Sequence, residues 1–176
     1  RFDRASVALA DMSRGVSTVL AFTGQIVSVL PVGVEITHRG TRIGRVLDER
    51  RPLVVGDWSQ EPVVGPESIL VKEGLRSSII APLLGKHGVI GVVNVGSLTP
   101  DQYSDDDAEF LTEVGTQLAF AIENMAAHED IARLKAQLEQ ENLYLQEEIK
   151  TEHPYEEIVG HSVALRKISH ALETVA

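Results

Sequence analysis

The polar side chains best suited to bind a small molecule lie between residues 38 and 78 of this sequence. Arg76 carries a guanidinium that suits an anionic ligand such as a small carboxylate, and an ion pair at the surface is its alternative role. Trp58, the only tryptophan, either lines a cavity or packs in the core. The candidate ligand-binding residues are His38, Arg45, Asp57, Trp58, Arg76 and Ser78.

Neither a metal site nor a catalytic site is predicted. His38, Asp57 and His87 are suitable metal ligands chemically, but the intervals between them match no ligand spacing. No Ser/His/Asp set and no pair of carboxylates has a spacing that indicates catalysis. The absence of Cys excludes disulfides, thiolate metal sites and thiol redox chemistry within these residues. We therefore expect a chain that is not an enzyme and holds no cofactor.

The composition predicts one folded domain with an appendage. The chain has 176 residues, of which 43% are hydrophobic, enough to form a core. Its formal charge of −10 argues against binding to nucleic acid or to an anionic membrane surface. No stretch approaches 18 uninterrupted apolar residues, so we expect no membrane span and a cytoplasmic location.

Short strands and helices must position the candidate residues. The β-prone runs Ala5–Asp11 and Val16–Thr23 flank a polar turn, which predicts a hairpin. Residues 25–34 are apolar but contain Pro31 and Gly33, which favours an edge strand or an irregular connection. The next predicted elements are a helix over Thr41–Arg50, a strand over Leu53–Val55 and a helix over Pro66–Glu73.

The strongest strand signals are Ser77–Leu84 and Val89–Leu98, joined by a turn with two glycines. Both alternating faces of these strands are apolar, so their antiparallel sheet must be covered on both faces. A long helix can cover one face. The short helices and loops of residues 25–75 must cover the other, where we expect a ligand cavity. Gly91, inside the second strand, predicts a close approach of another chain segment.

One helix is predicted from Ser104 to about Thr151. Ser104 and Asp107 have the spacing of a capping box, and the stretch contains no Pro. At 1.5 Å per residue this helix would be about 70 Å long, more than a domain of this size needs. Its apolar positions follow two registers, which predicts a phase break between residues 126 and 130.

The long helix is also the predicted dimer contact. Residues 128–157 carry a net charge of −6, which opposes pairing unless the apolar contact is well packed. A solvated helix surface without a switching role is the alternative. The predicted dimer and signalling residues are Leu118, Ile122, Met125, Ile131, Leu134, Leu138 and Leu145.

Several segments together resemble the GAF domain family. They are Ile43–Asp57, Glu73–Leu83, Gly88–Val95, Tyr103-Ser104 and Leu118–Asn124. The resemblance covers residues 1 to about 127 and implies an α+β fold (an α/β/α sandwich). In this fold a GAF-like antiparallel sheet is covered on both faces and followed by a long coiled-coil-like signalling helix. GAF domains usually begin with a helix beside the final one. We expect that helix to be missing here, which would leave part of the long helix bare.

The end of the chain resembles bacterial sigma-54-dependent transcriptional activators of the formate hydrogenlyase activator type. The similar segment is Ile158–Leu165 (Ile-Val-Gly-His-Ser-Val-Ala-Leu), which in that family lies near the start of an AAA+ ATPase domain. The resemblance implies a GAF sensor over 1–127, a helical linker over 128–152 and a truncated ATPase start over 153–176. ATP with Mg²⁺, and DNA binding, would then belong to the parent protein.

Two functions follow as alternatives from this resemblance. In the first, the chain is the signal-sensing regulatory module of such an activator. It binds an unknown small molecule in the GAF cavity and transmits its state to the ATPase through a homodimeric helix. In the second, it is a GAF scaffold without a ligand that serves for dimerisation and protein contacts. Neither version places nucleic acid or a membrane in contact with this part of the protein.

Overall fold

The computed structural model describes residues 2–24, 31–63, 65, 67–152, 167 and 170. In this part of the chain six strands form one antiparallel sheet in the order β3-β2-β1-β6-β5-β4. The elements are β1 (Arg4–Asp11), β2 (Val16–Gly24), β3 (Glu35–Thr37), α1 (Arg42–Glu49), β4 (Leu53–Val55), α2 (Glu67–Lys72), β5 (Ser77–Gly85), β6 (Gly88–Ser97) and α3 (Asp105–Glu152).

The predicted hairpins and helices are confirmed with small shifts at their ends. β1 pairs with β2 and β5 with β6, each across the predicted turn. The edge strand is β3, one residue beyond the apolar stretch predicted to contain it, and the described residues 31–34 of that stretch are irregular. The rest of that stretch, Pro66 and the segment similar to an ATPase lie outside the described residues.

Local hydrogen bonds define the ends of the helices. Thr41 is the N-cap of α1, and its side chain accepts a hydrogen bond from the N–H of Gly44. α1 ends at Glu49, and its C-cap Arg50 has a left-handed φ of 55°, so the helix stops before Pro52 is reached. At α3, Ser104 N–H donates to Asp107 Oδ2 (2.9 Å) and Asp107 N–H donates to Ser104 Oγ (3.3 Å). This is the predicted capping box.

α3 covers one face of the sheet, as predicted. Ala119 packs with Ala81, Leu83 and Val93, while Leu111, Leu118 and Ile122 lie at the edge of the same cluster. The contact is close at Gly115, where an added Cβ would lie 3.0 Å from the carbonyl oxygen of Pro82. Small residues at the contact therefore let the helix approach the sheet backbone.

The opposite face is covered by α1, α2 and the loop after β4, again as predicted. Ile43, Val46 and Leu47 of α1 pack on sheet residues such as Val92. A second cluster joins Trp58 to Val55 and other residues of this layer. None of the helices that the structure describes combines the length and apolar character that a membrane span requires.

Candidate functional site

A cavity of about 60 Å³ lies between the sheet and the layer formed by α1, α2 and the loop after β4. Its walls are mostly apolar, and Ala8, Ile43 and Ile80 are among the buried side chains that form them. Five polar side chains also reach it, namely Arg4, Ser6, Glu67, Ser78 and Asn94. The cavity therefore has the composition of a small-molecule site, which is apolar with a few placed polar groups.

Arg4 is the most unusual of the polar residues because it is a cation that is only 6% exposed. Its Nη1 lies 3.5 Å from Glu73 Oε2, a long ion pair. Its Nε has no hydrogen-bond partner among the described residues. Burial lowers the pKa of Arg4, and the attraction of Glu73 opposes part of that shift. A buried N–H donor without an acceptor is costly, so this atom marks where a ligand oxygen would be stabilised.

Trp58 forms part of the cavity wall and is 1% exposed. Its indole Nε1 donates a hydrogen bond of 2.9 Å to Ser78 Oγ. On the ring face, the Arg42 guanidinium carbon lies 4.5 Å from the ring centroid, within the range of a cation–π contact. Trp58 thus connects the cavity to α1.

Glu67 is a buried carboxylate whose charge is compensated by Arg42. Its Oε1 accepts from the backbone N–H of Arg42, and its Oε2 accepts from Arg42 Nη1, both at 2.6 Å. Arg42 Nη2 also donates to Glu61 at 2.9 Å. These charge-assisted bonds tie the start of α2 to the start of α1 over the cavity.

The six candidate binding residues separate into two groups. Trp58 and Ser78 line the cavity. Asp57 and Arg76 form a bidentate ion pair with each other, with N···O distances of 3.0 and 2.7 Å, and do not line it. His38 Nε2 lies 2.9 Å from Ser17 Oγ, and Arg45 donates to Glu49 at 2.8 Å, at a separate surface groove.

Arg4, Ser6, Glu67 and Asn94 line the cavity but were not among the candidate residues. A signal for two of them exists in the sequence. Arg4 and Ser6 alternate with apolar residues in β1, so they share the face of Ala8 that points towards the cavity. Nothing in the sequence indicates that Glu67 is buried, because that depends on Arg42, 25 residues away.

The Asp57–Arg76 ion pair makes a testable contribution to stability at low pH. The bonds from Arg76 and Ser59 hold the pKa of Asp57 well below its usual value of 3.8. A carboxylate whose pKa is lowered in the folded state stabilises above its unfolded pKa, and the contribution is lost as pH falls. We expect Asp57→Asn to lower Tm at pH 7. The difference from wild type should narrow between pH 5 and pH 2, measured by circular dichroism.

Asp48→Asn, at an exposed position on α1, is the matched control and should follow the wild-type curve. A constant difference in Tm between Asp57→Asn and wild type over this pH range would show that the charge of Asp57 does not stabilise the folded protein. Some pH dependence will remain in the variant, because hydrogen bonds also lower the pKa of Asp11 and Asp107.

No group of three His, Asp or Glu side chains is arranged to hold a metal ion within the described residues. His38 and His87, which were considered as ligands in the sequence, lie in different turns, after β3 and between β5 and β6. Among the polar side chains that reach the cavity, Arg4 has the one buried atom, Nε, without a hydrogen-bond partner within the described residues.

The predicted dimer residues of α3 also separate into two groups. Leu118 and Ile122 pack on the sheet, so their side chains are used within the domain. The other five are between 48% and 64% exposed: Met125, Ile131, Leu134, Leu138 and Leu145. α3 is helical through residues 126–130. A change of apolar register can occur within a continuous helix, so the phase break stays a prediction.

Three comparisons place this geometry among known proteins. The sequence model described as "GAF domain" matches residues 5–123. The chain is 25% identical over 146 residues to a formate hydrogenlyase transcriptional activator of Salmonella typhimurium (strain SL1344), and 24% identical to that of Escherichia coli K12. These matches cover 81% of this chain but only 21% of either relative.

The fold is also found among solved structures. The GAF domain of a two-component sensor histidine kinase from Bacillus halodurans superimposes with a TM-score of 0.63 at 23% identity. The match covers 73% of this chain and 86% of that one. At this identity the likeness concerns the fold alone. The chain itself divides into two compact units, Arg1–Ala127 and His128–Ala176, and the family match lies within the first.

Proposed function

The chain belongs to the GAF domain family, and from this premise we propose that it is the signal-sensing regulatory module of a sigma-54-dependent transcription activator. The observation that supports sensing is the cavity beneath α1 and α2, which is lined by Arg4, a buried cation whose Nε–H has no acceptor among the described residues. The similarity to formate hydrogenlyase transcriptional activators supports a role in transcription. ATP hydrolysis and DNA binding would belong to the rest of the protein.

The proposed signal path runs from the cavity through the sheet to α3. A ligand would contact Trp58 and Glu67, which are joined to α1 through Arg42. β5 and β6 have the cavity layer on one face and α3 on the other. At their turn, both carboxylate oxygens of Glu123 on α3 accept from Lys86 N–H, at 3.1 and 3.0 Å. Through these contacts the cavity and α3 share strands β5 and β6. A change at either one can therefore shift the conformation of these strands.

We propose that α3 is the dimer contact. Ile131, Leu138 and Leu145 recur every seven residues, and Leu134 occupies the complementary position of the first of these heptads. All four are exposed. An apolar residue at every seventh position is typical of one side of the contact in a left-handed coiled coil. Leu118 and Ile122, which pack on the sheet, are left out of the proposed contact.

Analytical ultracentrifugation tests this contact. Leu138→Asp should weaken dimerisation by at least about tenfold, because a charge would be buried in the contact. The helix content measured by circular dichroism should stay unchanged, since Leu138 is exposed in a single chain. The control is Gln137→Asp, which adds the same charge next to the proposed contact and should leave the dimer intact. A wild-type monomer at high concentration would contradict the proposal.

Ligand sensing is tested by thermal shift and by the fluorescence of Trp58, the only tryptophan. A ligand at 100 times its Kd stabilises the folded state by about 2.7 kcal/mol. For a protein of this size that raises Tm by roughly 5–10 °C. Ala8→Val, which fills part of the cavity, should abolish the shift while leaving dimerisation unchanged. A panel of small molecules that moves neither Tm nor emission would contradict sensing.

The second candidate is a GAF scaffold without a ligand. The exposed apolar residues of the proposed dimer contact on α3 favour this candidate, since they require a partner whether or not the cavity is occupied. The two candidate functions predict different signalling responses for the Ala8→Val variant of the full-length activator. A scaffold would keep its signalling response in that variant, and a sensor would lose it.

A further inference from the structure

α2 forms part of the cavity wall but is held over the cavity by little apolar packing. Glu67 and Leu70 are its residues that line the cavity. Of the six residues that the structure describes in this helix, only Glu67 is buried, and Ile69 and Leu70 lie half-buried at the edge of the core. A helix this short is unstable by itself, and a segment with few buried apolar contacts opens more readily than the core.

The start of α2 is fixed to α1 by a buried ion pair. Glu67 is 5% exposed, and its two oxygens accept from the backbone N–H and from Nη1 of Arg42, both at 2.6 Å. A buried carboxylate that loses its cation is strongly destabilising. Without Arg42 the closed position of α2 would therefore be disfavoured, because the charge of Glu67 regains water only when it leaves the interior.

Arg42 also contacts the part of the cavity wall that lies beside α2. Its guanidinium carbon lies 4.5 Å from the ring centroid of Trp58, and its Nη2 donates to Glu61 Oε2 at 2.9 Å. Trp58 and Glu67 both line the cavity. One guanidinium of α1 therefore holds two cavity-lining side chains that come from different segments of the covering layer.

The other end of α2 has the geometry of a hinge. Gly74 follows the helix with a φ of 89°, and the N–H groups of Gly74 and Leu75 bond back to carbonyls of α2 at 3.0 and 3.1 Å. Arg76 is then fixed to β6, because its N–H donates to the carbonyl oxygen of Ser97 at 2.8 Å. A rotation about Gly74 can therefore lift α2 while Arg76 and the sheet stay in place.

Resting on the proposed sensing function, we propose that α2 is a lid over the cavity, that Gly74 is its hinge and that the Arg42–Glu67 ion pair is its latch. Opening separates Glu67 from Arg42 and exposes Leu70 and the cavity behind it to water. Closing restores two charge-assisted hydrogen bonds and returns Glu67 to the wall. The latch thus controls how often a small molecule enters or leaves the cavity, whatever the chemistry of that molecule.

Hydrogen–deuterium exchange of the backbone amides, followed by nuclear magnetic resonance at pH 7, measures this opening without a ligand. The N–H groups of Glu73, Gly74 and Leu75 bond to carbonyls of α2 and report on the lid. Their protection factors in the wild-type chain should be at least tenfold lower than those of β5 and β6, because α2 opens while the sheet stays folded. Equal protection of the two sets would overturn the lid.

Glu67→Gln tests the latch and keeps the shape of the side chain. Its amide has one acceptor oxygen, so it cannot serve both donors of Arg42 as the carboxylate does. Because opening breaks the ion pair, the protection of the lid amides should fall at least tenfold, by the same factor as that of β5 and β6. A fall in the sheet alone, or no fall in either set, would overturn the latch.

Further variants separate charge from shape. Glu61→Gln changes the exposed carboxylate that binds the same guanidinium but does not line the cavity, so the protection of the lid amides should stay within threefold of wild type. Arg42→Met leaves Glu67 buried without its cation and should lower this protection at least tenfold. Adding Glu67→Leu should restore it at least threefold, because an apolar pair needs no charge compensation. A double variant as open as Arg42→Met would overturn the ionic latch.

The proposed function and the lid fail in different experiments. A panel of compounds that moves neither Tm nor the emission of Trp58 would contradict sensing and would leave the protection factors as they are. Protection factors that do not follow the expected pattern would overturn the lid even where a compound binds in the cavity.

Discussion

Among Gly→Ala substitutions in the sheet, Gly91→Ala is expected to cause the largest loss in the free energy of unfolding. Gly91 of β6 pairs with Leu9 of β1, and an added Cβ would overlap the carbonyl oxygen of Ala8. It would also lie 3.0 Å from the α-carbon of Leu9. Both are main-chain atoms of a central strand, so relief requires β1 and β6 to separate. We expect a loss of about 3 kcal/mol in the free energy of unfolding, measured by urea denaturation.

Gly85→Ala is the matched control for this substitution. Its added Cβ would meet the carboxylate of Glu123, which is the end of a flexible side chain that can move. The Gly85→Ala variant should lose less than about 1 kcal/mol in the free energy of unfolding. Equal losses in the two variants would show that overlap with the backbone is not what makes Gly91 necessary.

Trp58→Ala should have an effect of similar or greater size. The substitution removes the largest fully buried side chain of the described residues, together with its packing on Val55 and Leu75. It also removes the hydrogen bond to Ser78 and the contact with Arg42. Replacement of a buried Trp by Ala costs about 3–5 kcal/mol. Because Trp58 lines the cavity, the variant should also lose any ligand-dependent rise in Tm.

Trp58→Phe separates packing from hydrogen bonding. Phenylalanine keeps an aromatic ring beside Arg42 but cannot donate to Ser78, so a loss of about 1–2 kcal/mol is expected. Urea denaturation followed by far-ultraviolet circular dichroism serves for both variants, since neither contains tryptophan. A loss below about 1 kcal/mol in Trp58→Ala would contradict the enclosed position of this residue.

The fold could be predicted largely from the sequence because its signals are local. Apolar runs with both faces apolar identify β5 and β6, and the Ser104–Asp107 capping box identifies the start of α3. Gly91 was predicted to mark a close approach, and β1 is the segment that approaches it. Each of these features depends on residues within one element or on an adjacent strand.

The cavity was harder to predict because its chemistry depends on distant pairs. Asp57 and Arg76 are 19 residues apart, and each satisfies the charge of the other instead of that of a ligand. Arg4 and Glu73 are 69 residues apart, and near the start of a strand an arginine ordinarily lies at the surface. Sequence spacing carries no information about which charges meet when the sheet forms.

The contact at Gly115 restricts how α3 can move on the sheet. The carbonyl oxygen of Pro82 occupies space that a side chain would need, and every neighbouring position of α3 has a Cβ. A piston-like translation of the helix along its axis would therefore drive a Cβ into the β5 backbone. Tilting or rolling about Gly115 avoids this collision. A conformational change passed from the sheet to α3 would therefore alter the angle between the helix and the sheet, with Gly115 as the pivot.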